Sequence, residues 1–168
     1  MAVKGHKMKK SKNIHERIAT VCGIGYFPIA PGTAGSFAGL ILCLLLHSHI
    51  VLYITAFIIL FTAGVISSGM VERGSVQKDP GFIVIDEFAN IFPVFLFIPL
   101  SVNVIIVGFI LYRAFDIIKI PPLKKLEKLH GGWGIMLDDL ASAIYANLIL
   151  QILIIGVRSQ LSTKVLTQ

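Results

Sequence analysis

A chain of 168 residues, 55% hydrophobic and only 14% charged, has the length of one domain and the composition of a membrane protein, since soluble domains usually carry about 25% charged residues. Its net charge of +6 suits a lipid-facing basic arm better than a nucleic-acid patch, because so apolar a remainder already implies a bilayer. The two cysteines, Cys22 and Cys43, have neither metal-ligand spacing nor a second pair, which excludes a disulfide framework and a thiolate metal centre.

The first stretch, residues 1–19, is a basic arm carrying Lys4, Lys7, Lys9, Lys10, Lys12 and Arg17. Turn residues follow it, with no apolar run and small-residue cleavage site, so it does not read as a signal peptide. Gly23–Ser36 is a glycine- and proline-punctuated loop. It is either a structural turn or an anion cradle, in which glycine N–H groups, the Thr33 and Ser36 hydroxyls and a helix N-terminus near Ala34 face one point. A short apolar helix is expected over Ala34–Leu46, a polar tip at His47-Ser48-His49, and a returning helix over Ile50–Ser67. At about 1.5 Å per residue the first arm falls short of a ~30 Å hydrocarbon core. It therefore tilts, lies partly in the interface, or forms a shallow hairpin.

Polar residues 72–79 lead to Asp86-Glu87, which abuts the apolar run Phe88–Leu111. Pro93 and Pro99 interrupt that run, giving a second hairpin with its tip at Pro99–Asn103, or else one kinked helix. Arg113, Asp116 and Lys119 come next, then Lys124, Lys125, Lys128 and His130. The stretch Gly131–Asp139 runs into the uncharged segment Leu140–Val157, with Asp138 and Asp139 at its mouth. Such a pair is either a solvated helix N-terminus, where acids suit the dipole, or a site for a hard cation such as Mg²⁺. A polar tail, residues 159–168, closes the chain, and residues 20–158 make one domain.

If both hairpins are real, every polar connector lies on one side of the membrane. Thirteen of the fifteen Lys and Arg residues, Lys4 through Lys128, lie there too, and the positive-inside rule makes that side the cytoplasm. Of the nine acids, Asp86, Glu87, Asp116, Asp138 and Asp139 sit at ends of apolar segments or in the connectors between them. Acids in such places are expensive and mark function. With Arg113, Lys119, Lys124, Lys125 and His130 they make a site able to hold both a cation and a phosphate.

Four stretches in this order carry a family resemblance: Gly25-Tyr26-Phe27-Pro28-Ile29-Ala30-Pro31-Gly32-Thr33-Ala34-Gly35-Ser36, Ile85-Asp86-Glu87-Phe88, Arg113-Ala114-Phe115-Asp116-Ile117-Ile118-Lys119, and His130-Gly131-Gly132-Trp133-Gly134-Ile135-Met136-Leu137-Asp138-Asp139. Together they resemble the bacterial phosphatidylglycerophosphatase A family over roughly residues 20–150. The resemblance implies an all-α fold, Mg²⁺ dependence, and hydrolysis of phosphatidylglycerol phosphate to phosphatidylglycerol and inorganic phosphate at the cytoplasmic face of the cell membrane, within phospholipid biosynthesis. Three positions depart from the family's usual residues: Asn90 and Ala143 stand where it has glycine, and Ile120 follows Lys119 where it has proline. None of these removes a charged group.

Other phosphatase chemistries lack their residues. Cys22 and Cys43 have Pro28 and His49 six positions on, where a cysteine phosphatase needs Arg, and no Asp-x-Asp or Ser-Gly-His occurs. Attack by metal-activated water remains. On the resemblance, Asp86, Glu87, Asp138 and Asp139 are the expected Mg²⁺ ligands, and Glu87, Asp116 and Asp139 the catalytic carboxylates, with the general base left open among them. Thr33, Ser36, Arg113, Lys119 and His130 are the expected substrate contacts. The fold expected is a compact all-α helical bundle of apolar hairpins, embedded in or dipping into the membrane, its catalytic loops on the cytoplasmic side. The expected partners are an anionic phospholipid and the membrane, with no nucleic acid. Oligomeric state and strictness toward this lipid stay open. A small cation transporter or channel subunit is the rival reading, since intramembrane acids also line ion paths, and it predicts carboxylates near the middle of apolar segments.

Overall fold

The computed structural model describes residues 14–118 and 129–166, and every regular element among them is helical. The elements are α1 (Ile14–Ala19), a 3₁₀ turn (Ile24–Tyr26), α2 (Pro31–Leu46), α3 (Ile50–Arg73), α4 (Ile85–Phe95), α5 (Val102–Ile118) and α6 (Gly132–Leu166). Most of the basic arm lies outside the described residues, as do Lys119, Lys124, Lys125 and Lys128. Packing begins within the stretch read as the arm: Ala19 is buried, and His15 of α1 shares a 3.3 Å hydrogen bond with Ser67 of α3.

Both hairpins form. The α2–α3 hairpin turns at His47–His49, and α2 opens on Pro31, whose fixed φ and missing N–H suit the first helical position. The α4–α5 hairpin turns over residues 96–101. Its first arm is short and buried: α4 packs against α2, α3, α5 and α6, and encloses Ile91, Phe92, Val94 and Phe95. At 11 residues it is about 16 Å long, so α4 is the core helix of the bundle.

Pro93 has no N–H to continue the ladder, and α4 stops at Phe95. The carbonyls this leaves bare are taken by neighbouring side chains. The Tyr53 hydroxyl donates to Phe92 O at 2.6 Å, and Asn147 Nδ2 donates to Val94 O at 2.9 Å and Leu96 O at 3.1 Å. These bonds satisfy the orphan acceptors of a helix end inside an apolar core.

α6 begins at Gly132, well before the uncharged run, so Asp138 and Asp139 lie inside a helix and not at its mouth. Gly132 makes this possible by close approach: a side chain there would strike Val65 O on α3. Among the described residues, α3 and the Gly132–Val157 part of α6 are the two helices long and apolar enough to cross a membrane. Ile58, Ile59 and Ile66 of α3, Ile110 of α5 and Ile152 and Ile155 of α6 are exposed, so all three helices carry large apolar side chains on their outer surfaces.

Candidate active site

Four helix segments bring their polar residues to one place. The first turn of α4 supplies Asp86 and Glu87, the second turn of α6 supplies Asp139, the end of α5 supplies Arg113 and Asp116, and the start of α2 supplies Gly32 and Ser36. Asp86, Glu87 and Asp139 each offer a carboxylate oxygen within 4.8 Å of the others. Their surroundings are nearly dry, with Asp86 7%, Asp116 8% and Asp139 3% exposed.

Arg113 organises one edge of this cluster. Its Nη1 lies 2.6 Å from Asp116 Oδ2, one turn on in the same helix, and 3.7 Å from Glu87 Oε1. The same nitrogen donates to Ser36 Oγ at 3.2 Å, and the Ser36 hydroxyl donates to Gly32 O at 2.9 Å. Gly32 is where the chain must be bare, because a Cβ there would strike Glu87 Oε1. Thus the start of α2, whose first N–H groups have no partner within the helix, abuts the acids and their arginine.

One guanidinium does not balance four buried carboxylates. Asp86 Oδ1 and Glu87 Oε2 are buried and have no hydrogen-bond partner. Burial first, and then the charge of Glu87, hold the Asp86 carboxyl well above the usual carboxylate range. Burial likewise raises Glu87, against the opposing effects of its hydrogen bond with Asp86 and of Arg113. A group of hard oxygen donors, two of them bare, is what a divalent cation such as Mg²⁺ takes up, and the residues present fit it.

The structure gathers three of the four expected cation ligands. Asp138 is also buried, but it lies one position, about 100° around the helix, from Asp139. Its Oδ1 accepts the Asp139 N–H at 3.0 Å. Asp116, Arg113 and Ser36 are brought to the cluster, Ser36 by orienting Arg113. Thr33 is exposed on the first turn of α2, and His130, exposed ahead of α6, does not join the acids. Lys119 lies outside the described residues.

Two buried polar groups on the helices that carry the acids were not read as such from the sequence. The buried Tyr112 hydroxyl donates to Asp139 Oδ2 at 2.9 Å. Asn90, fully buried, donates from Nδ2 to Met136 O at 3.0 Å while its Oδ1 has no partner. Helical spacing was the available signal: Tyr112 precedes Asp116 by four residues and Asn90 follows Asp86 by four, so each pair shares a helix face.

The sequence model of the family described as phosphatidylglycerophosphatase A matches residues 17–154 of this chain. A Haemophilus influenzae protein named phosphatidylglycerophosphatase A is 42% identical over 135 residues, covering 77% of this chain and 82% of its own. An Escherichia coli protein of the same name is 29% identical over 138 residues, covering 80% of each. A Bacteroides thetaiotaomicron protein, provisionally named a phosphatidylinositol-3-phosphatase, is 31% identical over 154 residues, covering 86% of this chain and 96% of its own. No solved structure matches the chain.

Proposed function

The chain belongs to the phosphatidylglycerophosphatase A family, and on that footing we propose that it is a Mg²⁺-dependent phosphatase converting phosphatidylglycerol phosphate to phosphatidylglycerol and inorganic phosphate, a step in phospholipid biosynthesis. The observation that carries this reading is the meeting of Asp86, Glu87 and Asp139 beside Arg113 and the start of α2. An acid cluster alone suits a cation, and an arginine at a helix N-terminus alone suits an anion. Side by side they suit a phosphate monoester held with its metal.

Asp86, Glu87 and Asp139 would hold the ion, which when bound supplies Lewis-acid charge and a water of lowered pKa. Arg113 orients the phosphate: Asp116 and Ser36 hold its guanidinium at Nη1, and the planar fork matches non-bridging phosphate oxygens. The first N–H groups of α2 donate to the same oxygens. A carboxylate of the cluster, Glu87 or Asp116, takes the proton lost by the attacking water as the P–O bond to the glycerol breaks, and returns it to the departing glycerol oxygen. The buried walls keep bulk water from the reacting atoms and strengthen each of these contacts.

Membrane residence, with the site facing the cytoplasm, is supported by two apolar helices long enough to cross a bilayer and by the lack of Lys and Arg at both hairpin tips, thirteen of the fifteen preceding residue 129 in the sequence. The rival reading, a cation conduit, gains from the position of Asp139 within α6. It is disfavoured by Arg113, a fixed positive charge among the acids that would repel a passing cation.

The test is phosphate release by the purified protein from phosphatidylglycerol phosphate, with and without Mg²⁺, and from phosphatidylinositol 3-phosphate alongside. Mg²⁺-dependent release that favours the glycerol lipid and is lost in Asp86→Asn and Asp139→Asn is the expected result. Undiminished release from both variants removes the site assignment.

A further inference from the structure

The length of α3 gives a measure of how deep the acid cluster lies. α3 is uncharged from Ile50 through Val71. At 1.5 Å per residue, Ile50 to Met70 covers about 30 Å, the thickness of a bilayer's hydrocarbon. Glu72 and Arg73 then mark where α3 leaves the apolar layer at its catalytic end.

Side-chain contacts set the other helices against this ruler. At Gly64 a Cβ would lie 2.6 Å from Met136 Sδ of α6 and 3.4 Å from Ile85 Cγ1 of α4, and at Gly69 it would lie 3.0 Å from Gly132 N. Thus α6 descends as α3 rises, and Gly64, Met136 and Ile85 share one level. That level is six residues, or about 9 Å, inside Met70. Asp86 follows Ile85 directly, and Asp139 lies nearly one turn beyond Met136, further in.

The apolar part of the surface at this end agrees, beside the exposed Arg17 of α1. Trp133 is 55% exposed and sets its ring edge-on to Phe61, 6.3 Å between centroids. Phe61 is nine residues, or about 13 Å, inside Met70. Phe27 and Ile29, in the approach to α2, are 56% and 76% exposed, and Ile117, at the end of α5, is 71% exposed. Large apolar side chains left open beside a polar site fit the apolar layer just under the lipid headgroups.

We propose that the catalytic end is sunk below the headgroups of a phospholipid bilayer, with Asp86, Glu87 and Asp139 recessed about 10 Å into the hydrocarbon layer and Trp133 bathed in acyl chain. This rests on the reading of the substrate as a membrane lipid. It adds that the phosphate descends from headgroup level into the protein, so a lipid-borne phosphate reaches the acids while the ring of apolar residues stays in lipid.

Trp133 is the only tryptophan, so the full chain reports its own depth. It is reconstituted in phosphatidylglycerol–phosphatidylcholine vesicles and its emission quenched either by phosphatidylcholine brominated high in the acyl chain or by aqueous iodide. Two references are made in a Trp133→Phe background: Val76→Trp in the exposed connector before α4, and Ile58→Trp on the exposed face of α3. The proposal expects Trp133 to lose more than half its emission to the bromolipid and to be shielded from iodide, as Ile58→Trp is. Trp133 behaving as Val76→Trp, quenched by iodide and untouched by the bromolipid, overturns it. Phosphate release in the same vesicles separates the two claims. Release with an iodide-accessible Trp133 leaves the hydrolase and sinks the recess; bromolipid quenching without release does the opposite.

Discussion

The Tyr112 hydroxyl donates a 2.9 Å hydrogen bond to Oδ2 of Asp139, fixing the orientation of a carboxylate that belongs to the acid cluster. A cation ligand held in this way loses less freedom on binding, and partners of this kind usually matter. Tyr112→Phe keeps the ring and removes only the bond, a loss of about 1 kcal/mol, or roughly fivefold in affinity. Calorimetric titration of the protein with Mg²⁺ should show weaker binding by about that factor, with helicity unchanged by circular dichroism.

The two adjacent aspartates should not be equivalent. Asp139 belongs to the group that closes on Asp86 and Glu87, whereas Asp138 accepts a backbone N–H of its own helix. Asp139→Asn is expected to lower kcat by about 100-fold or more, beyond the usual effect of losing an outer partner. Asp138→Asn is expected to cost clearly less. Steady-state kinetics on one lipid preparation compares them.

Gly32 is bare because Glu87 occupies the space its Cβ would take. Gly32→Ala pushes against the end of a side chain, not against backbone, so the fold should survive. The displaced Glu87 and its neighbour Arg113 should lose the arrangement the phosphate needs, lowering kcat/KM by about tenfold or more, as small misplacements in active sites do. A melting temperature within a few degrees of the parent, alongside that loss, is the expected pattern.

The acids also set a pH dependence. Asp86 and Glu87 have carboxyls raised in the folded protein, chiefly by burial, so between the ordinary carboxylate range and those raised values the native state holds more protons than the unfolded one. Stability of the cation-free protein therefore falls as pH rises through that window. A cation must displace those protons, so its stabilising effect grows in the same direction. Melting curves in detergent should show the increase in Tm on adding Mg²⁺ widening with pH.

Much of this molecule could be read from the chain. Apolar runs broken at His47–His49 and at Pro99 announce two hairpins because polar tips and prolines end helices locally. The functional acids stand out because carboxylates beside apolar runs have few structural uses. What stayed hidden depends on distant contacts. The stretch Gly131–Asp139 stands ahead of the uncharged run, and the close packing of Gly132 on Val65 of α3 accompanies a helix that starts there, so the position of Asp139 within α6 could not be seen. Asn90 and Tyr112 are buried polar groups whose partners, Met136 O and Asp139, lie on another helix. The central place of α4 was hidden too, since an apolar run does not say whether it faces lipid or other helices.

The most direct test of the central claim, that Asp86, Glu87 and Asp139 form one divalent-cation site, is Mn²⁺ binding followed by electron paramagnetic resonance on the purified full chain. Saturable binding in the parent, competed by Mg²⁺ and lost in both Asp86→Asn and Asp139→Asn, is the predicted result. Binding that persists undiminished in either variant contradicts it.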